Sequence, residues 1–393
     1  MLRRRCMPRE SPPTEQTTSS RFRMSAFAPV SREAGHGRRV LRDGRRLGQR
    51  QTVIDRNLTV AATAGLRMML NGQRPGAALL HKRYAVVSEL GQGTFSRIVK
   101  CRDLYWPRER FVAVKIHNED CAYIGQQELL HLLTLNSSSR SVRSCSVVEV
   151  LDAFDHGRHV CIVLECLGPS LHMISARRRM PIDRVRKIAL RLVGALAFLK
   201  NLNVIHADMK PENVLLVDAK GQSSKVRIVD FGNAIHPADA SAYFDDFNLQ
   251  SMFYRAPEVL FGMRDFTFPI DMWSLGCIVA ELVSGRPLFP AVNPTTLLEQ
   301  MQDLLGPIPV HLFQDGGLWK FYPVVYDAEA ISYEARLERI AQALDIRDPA
   351  LITFICALLE YDPSRRLTPR EAVLHSFFSP IFPFADVMLP SPR

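Results

Sequence analysis

Val204-Ile205-His206-Ala207-Asp208-Met209-Lys210-Pro211-Glu212-Asn213-Val214-Leu215-Leu216 sets a polar octet between two apolar runs. The runs read as core segments, and the octet reads as a loop at their exposed end. A connecting loop is polar by default. A carboxylate (Asp208), an amine (Lys210) and an amide (Asn213) within six residues are an improbable accident of that default. Groups of such different proton and metal chemistry, gathered on one short loop, mark a candidate catalytic segment.

Working outward, residues 226–229 form an apolar strand that ends in Asp230-Phe231-Gly232. The tripeptide means little alone; its place soon after the Asp208 loop gives it weight. Upstream, strands at 84–90 and 97–101 flank Gly91-Gln92-Gly93-Thr94-Phe95-Ser96-Arg97-Ile98. Glycines between strands let backbone N–H groups approach an anion with no Cβ in the way, although such turns are more often simple hairpins. A third strand, residues 111–116, carries Lys115 after Phe111-Val112-Ala113-Val114. A lysine there is either a snorkelling edge residue or a buried charge that needs partners. Glu128, at the head of a helical stretch over 128–135, is the chosen partner; Glu119, in a turn-like stretch, is the alternative. A buried strand follows at 159–164. Val185, Ile188, Ala189, Leu192, Val193, Leu196 and Leu199 then repeat at helical spacing, with Asp183 placed to cap the start.

Of the chain's 50 basic and 40 acidic residues, 1–81 hold 16 arginines, no lysine and 5 acids, leaving 34 and 35 for 82–393. The net +10 therefore belongs to the N-terminal tail. Rich in Arg, Pro, Ser, Thr and Gly, that tail reads as disordered, with one marginal helix over 60–70. No pair of the eight cysteines has CxxC or His-assisted zinc spacing, so neither a structural zinc nor a disulfide framework is expected, and a reducing compartment fits. No apolar run reaches the ~18–20 residues of a membrane span. The strand-rich half followed by a helix-rich half, with the boundary near Gly168-Pro169, indicates two lobes.

Taken in order, Gly91-x-Gly93, Val112-Ala113-Val114-Lys115, His206-Ala207-Asp208 with Asn213, Asp230-Phe231-Gly232 and Ala256-Pro257-Glu258 resemble the eukaryotic protein kinases. The likeness covers residues 84–382. It implies an α+β bilobal protein-kinase fold, with a β-rich N-lobe and an α-helical C-lobe. The expected divisions are a disordered basic tail at 1–81, a kinase domain at 82–382 (lobes 82–167 and 168–382) and a short tail at 383–393. The stretch from Leu249-Gln250-Ser251 to Val259-Leu260 is similar to the CMGC group, in its dual-specificity tyrosine-regulated, homeodomain-interacting and LAMMER-type neighbourhood. The long stretch 289–345 resembles that group's helical insert.

The resemblance also implies roles. Asp208 orients the substrate hydroxyl and accepts its proton, Lys210 steadies the γ-phosphate, and Asn213 with Asp230 holds Mg2+ beside ATP. Lys115, paired with Glu128, holds the α- and β-phosphates. Leu90, Ile98 and Ala113 wall the adenine, with Gly91, Gly93 and Ser96 over the phosphates and the hinge backbone of Glu165-Cys166-Leu167 pairing with the ring. Cys166 reads as a small apolar filler more than as a reactive thiol. Arg366 is expected to pair with Glu258, and Asp271 to brace the catalytic loop.

Departures shape the specificity. Ser96 stands where a third glycine is usual. Ala207 replaces the arginine that gathers a phosphorylated activation loop, and residues 244–248 lack paired tyrosines. Asp245 or Asp246 stands in for a phosphate beside Arg255, and Tyr243 is the one nearby tyrosine before Tyr254. Met252 occupies a position often held by arginine. The expectation is therefore an activation segment ordered without phosphorylation, with Tyr autophosphorylation left open. Arg255 ranks proline-directed Ser/Thr protein substrates first.

A pseudokinase scaffold is the competing expectation, disfavoured because Lys115, Asp208 and Asp230 are all present. A nucleic-acid or acidic-partner tether through the tail ranks last. A monomer, without a membrane partner, in nucleus or cytoplasm is the default; an organelle transit peptide is the alternative reading of the tail.

Overall fold

A computed structural model describes residues 79–138, 146–176, 178–240, 249–322 and 329–381. Six strands form one antiparallel sheet: β1 (Leu79–Leu80), β2 (Tyr84–Gln92), β3 (Ser96–Asp103), β4 (Phe111–His117), β5 (Val150–His156) and β6 (His159–Glu165). Their order is β1-β2-β3-β4-β6-β5, so β4 lies in the interior of the sheet. Side chains alternate across a strand. Val112, Val114 and Ile116 join Leu80, Tyr84, Val99, Cys101 and Val163 in one apolar cluster, while Ala113 belongs to the cluster on the opposite face. Lys115 and His117 share the Ala113 face.

That face is covered by α1 (Ala122–Ser137), whose buried residues Gly125, Glu128, Leu132 and Leu135 fall at spacings of three and four. The helix begins six residues before the expected 128, because Ala122 to Gln127 are helix formers or fit its buried stripe.

After β6 the chain passes through Gly168-Pro169 into α2 (Leu171–Ser175) and the amphipathic α3 (Ile182–Asn201). Asp183 does not cap α3: the N-cap is Pro181, which has no side-chain acceptor, and Asp183 sits in the first turn bonded to Arg186. The strands β7 (Val214–Leu216) and β8 (Val226–Ile228) form a two-stranded ladder that carries the Asp208 loop and Asp230.

The helical core centres on α5 (Pro269–Ser284), buried on every side from Ile270 to Val283. It follows the short α4 (Pro257–Leu260) and ends at Gly285 with φ 75°, a left-handed turn in which a Cβ would lie 2.9 Å from the Arg178 carbonyl carbon. The expected insert contains α6 (Pro294–Leu305), α7 (Val310–Phe313) and α8 (Tyr333–Leu344), capped at α6 and α8 by Asn293 and Ser332. The wall is completed by α9 (Pro349–Leu358), which packs on α5, and by α10 (Pro369–Val373) on α3. Burying each large apolar side chain here contributes about 1.5–3 kcal/mol.

The expected tail boundary at 81 moves, because Leu79 and Leu80 pair with Ala85 and Tyr84, and Leu80 is fully buried. The marginal helix at 60–70 and the C-terminal tail at 383–393 lie outside the described residues.

Candidate active site

Lys115 faces Ile98 on β3 and Ile162 on β6, so its ammonium emerges from the middle of the sheet. It is 6% exposed, and its Nζ lies 2.7 Å from Glu128 on α1 and 2.7 Å from Asp230 Oδ1. Burial alone would lower its pKa; the two carboxylates overcome that and raise it to about 12. Burial would likewise raise Asp230, but the Lys115 ammonium draws it down to about 2. The Asp230 side chain is 47% exposed, and its backbone takes φ 65°, a left-handed conformation that costs a non-glycine residue about 1–3 kcal/mol. Glu119, the alternative partner, sits in a 3-10 turn with its carboxylate 3.8 Å from Arg158 and from His159.

Asp208 is the hub of a second cluster. Its Oδ2 accepts from Lys210 Nζ at 2.7 Å and from Asn213 Nδ2 at 3.3 Å, and its Oδ1 accepts from the Ser251 hydroxyl at 2.8 Å. Asn213 Nδ2 also donates to the Asp208 carbonyl at 2.8 Å, which leaves the amide oxygen as the outward end. The Val229 N–H donates to the Asn213 carbonyl at 2.9 Å, tying this loop to the strand that delivers Asp230.

The loop is held from beneath by Asp271, at the start of α5, which accepts from the N–H groups of His206 (2.7 Å) and Ala207 (3.0 Å). Burial raises the Asp271 pKa, against the pull of His206 and these donors. Asp208 N donates to His206 Nδ1 at 3.2 Å, so His206 Nε2 carries the proton and donates to Val229 O at 3.1 Å. Ala207 has φ 59°, and its carbonyl accepts from Gln250 N at 2.9 Å.

Over the cleft, Gly93 N donates to Ser96 O at 2.8 Å, and Asn118 ties the turn to the end of β4 through Phe95 O and Thr94 O. Among the described residues, no atom lies within 4 Å of a Cβ built on Gly91. Leu90 is exposed, Ile98 half-buried and Ala113 buried. In the hinge, Glu165 turns its carboxylate to Arg227 Nε (2.9 Å) and Glu149 N (3.0 Å), leaving backbone rather than side chain toward the cleft. Cys166 and Leu167 are half-buried, and burial pushes the Cys166 thiol up.

Gln250 is a left-handed residue, φ 60°, whose side chain bridges Ile270 O, Ser274 Oγ and Ala256 N. Its carbonyl accepts from Arg255 Nη2 at 2.8 Å and Nε at 3.3 Å. Glu258 receives both terminal nitrogens of Arg366, at 2.6 and 2.9 Å. Tyr254 is buried with its hydroxyl donating to Glu281 at 2.7 Å. Tyr243, Asp245 and Asp246 lie outside the described residues.

The fold thus brings Lys115, Glu128 and Asp230 together, and Asp208, Lys210 and Asn213 together. Three participants escaped the sequence reading. Ser251 carried a signal, a hydroxyl at fixed distance before Arg255-Ala256-Pro257-Glu258. His117 had only its alternation with Lys115, and the Gln250 left-handed turn had none. A cavity of about 660 Å³ between α3 and the β7–β8 turn, lined by Lys187, Arg191 and Lys225, contains none of these residues.

A family model described as the protein kinase domain matches residues 84–378. The serine/threonine-protein kinase AFC2 of Arabidopsis thaliana is 33% identical over 342 residues, covering 76% of this chain and 78% of the relative. The dual specificity protein kinase CLK1 of Homo sapiens is 31% identical, over 76% of this chain and 66% of its own length. A crystal structure of a kinase domain superposes with a TM-score of 0.65 at 24% identity, covering 76% of this chain and 96% of that one, a likeness of fold.

Proposed function

The chain belongs to the protein kinase family, in its CMGC group, and on that premise we propose that it transfers the γ-phosphate of ATP to serine and threonine hydroxyls of proteins. The observation that carries this reading is the two-part cluster. Lys115 is held by Glu128 and Asp230, the Asp208 loop carries its own hydrogen-bonded hub, and one backbone bond links the two.

Asp208 is the base in this reading. Lys210 and Ser251 hold its carboxylate in place, and its free lone pairs take the proton of an incoming hydroxyl. Lys115, charged and pre-positioned, offers its remaining N–H to the phosphates. The donor set suits a magnesium ion: Asp230 is ionised and half-exposed, Asn213 has its nitrogen tied down and its oxygen outward, and both are hard oxygen ligands. Magnesium there would supply charge neutralisation between the β- and γ-phosphates.

The acceptor preference follows from Gln250. Its carbonyl is already satisfied by Arg255, so the residue after the acceptor finds no partner there for its N–H. Proline, which has no N–H, loses nothing at such a pocket, and proline-directed transfer is the expected result. The test is γ-phosphate transfer with Mg·ATP to itself and to a generic basic acceptor, beside Asp208→Asn. Transfer by the wild type alone supports the reading. ATP raising the melting temperature without transfer would replace it with a nucleotide-binding scaffold.

A further inference from the structure

We propose that His117 is a positioning residue: it latches Glu128, and with it α1, in the geometry that the transfer reaction uses. The claim rests on the kinase reading for its functional half and on geometry alone for its structural half.

His117 lies two residues beyond Lys115 on β4 and points to the same face. Its ring is 1% exposed, and Nε2 is 3.0 Å from Glu128 Oε2. An ionised carboxylate oxygen only accepts, so Nε2 carries the proton and donates. The other nitrogen, Nδ1, faces the Val160 carbonyl at 3.3 Å, and the His117 carbonyl is bonded by His159 Nδ1 at 2.7 Å. The ring is thus bonded at its Nε2 edge and its backbone is held from behind.

Glu128 then has three donors: Lys115 Nζ, the Phe231 N–H at 3.2 Å on Oε1, and His117 on Oε2. Two of these are tied to the rest of the site. Lys115 divides its attention among Glu128, Asp230 and arriving phosphates, and Phe231 follows Asp230. His117, on the same interior strand as Lys115, is the donor whose Nε2 serves Glu128 and no other described residue.

The helix carries the matching half of the latch. Gly125 precedes Glu128 by one turn on the same buried stripe. A Cβ there would lie 2.7 Å from His117 Cγ, 2.8 Å from Nδ1 and 3.1 Å from Val160 Cβ. The missing side chain is the space the imidazole occupies. Sliding or turning α1 would carry the larger neighbours Ile124 or Gln126 onto the ring, so ring and gap together define one seat for the helix.

The experiment compares His117→Leu, which fills the space with no donor, and His117→Gln, whose amide nitrogen reaches as far as Nε2, in the full chain. Kinetics, melting temperature and amide hydrogen exchange of α1 are read together. His117→Leu is expected to lower the melting temperature by a few degrees while staying folded at assay temperature, to lose about tenfold or more in kcat/KM for ATP through kcat, and to exchange faster over residues 125–132. His117→Gln is expected to recover most of the rate and protection. Full activity in His117→Leu, or equal loss in both variants, overturns the positioning role. Should the wild type transfer no phosphate, the kinase reading fails by itself and α1 exchange still decides the latch: unchanged protection in His117→Leu refutes it.

Discussion

Replacing Arg366 by methionine should unfold the C-lobe at markedly lower temperature. The Arg366 side chain is 0% exposed and its partner Glu258 4%. Besides the two bonds to Glu258, the guanidinium donates to the carbonyls of Glu360 (2.9 Å) and Pro269 (2.9 Å) and stacks 5.1 Å over Trp273. Methionine keeps most of the volume but strands a buried carboxylate and three carbonyls, the third being that of Tyr361, 3.4 Å from Nη2. Breaking a buried pair by removing one partner costs about 3–5 kcal/mol. At roughly 2–4 °C per kcal/mol for a domain of this size, the melting temperature falls by about 6–20 °C. Differential scanning calorimetry, with urea midpoints as a check, measures it. Raising salt to 1 M should change the difference little, since a buried pair is hardly screened. Adding Glu258→Met should recover most of the loss by removing the stranded charge. A fall of under 2 °C in the single variant, or a double variant as unstable as the sum, would refute the assignment of that energy to the pair.

Other outcomes follow from the same geometry. Gly125→Ala drives a methyl onto the His117 ring, so it should cost about 1–3 kcal/mol, measured by urea unfolding, and adding His117→Ala should relieve most of it. Phosphatase treatment should leave activity intact, because Asp271, Ala207, Gln250 and Ser251 already order the loop around Asp208 without a phosphate; abolished activity would sink this expectation. Arg255→Ala should free the Gln250 carbonyl and narrow the preference for proline by roughly tenfold on a peptide array. Lys115 has its pKa raised from 10.5 to about 12, so its stabilisation, about 2 kcal/mol, is full below pH 10.5 and is lost as pH rises through 12. Asp230, lowered from 3.8 to about 2, stabilises above pH 4 and loses this as pH falls toward 2, by only ~1 kcal/mol because it is half-exposed. Urea midpoints across pH, with Lys115→Met as the control, separate the two.

Much of the fold was legible because its period is local. Strands β2, β3, β4 and β6 and helix α3 announce themselves through alternation or helical spacing of apolar residues, and burial on one face requires that spacing wherever the element is placed. Strand β5, with Asp152 half-buried and Asp155 exposed, shows no such alternation and was missed. The expected cap at Asp183 failed for a related reason. Capping depends on the turn at which the helix begins, and Pro181 moved that start upstream by two residues.

The site divides along the same line. Asp208, Lys210 and Asn213 are five positions apart at most, so their chemistry could be read from the chain, as could an isolated lysine in an apolar strand. The choice of Glu128 over Glu119 depended on which face of α1 meets the sheet. The bond between Lys115 and Asp230 joins residues 115 positions apart. His117 and Gly125 carry meaning only when strand and helix are packed, since a ring and the gap that receives it lie on different elements. Sequence alone determined which groups were present and which secondary structure would carry them. Their partners were decided by tertiary packing, because hydrogen bonds and buried charges act over about 3 Å, and only the folded chain brings distant residues that close.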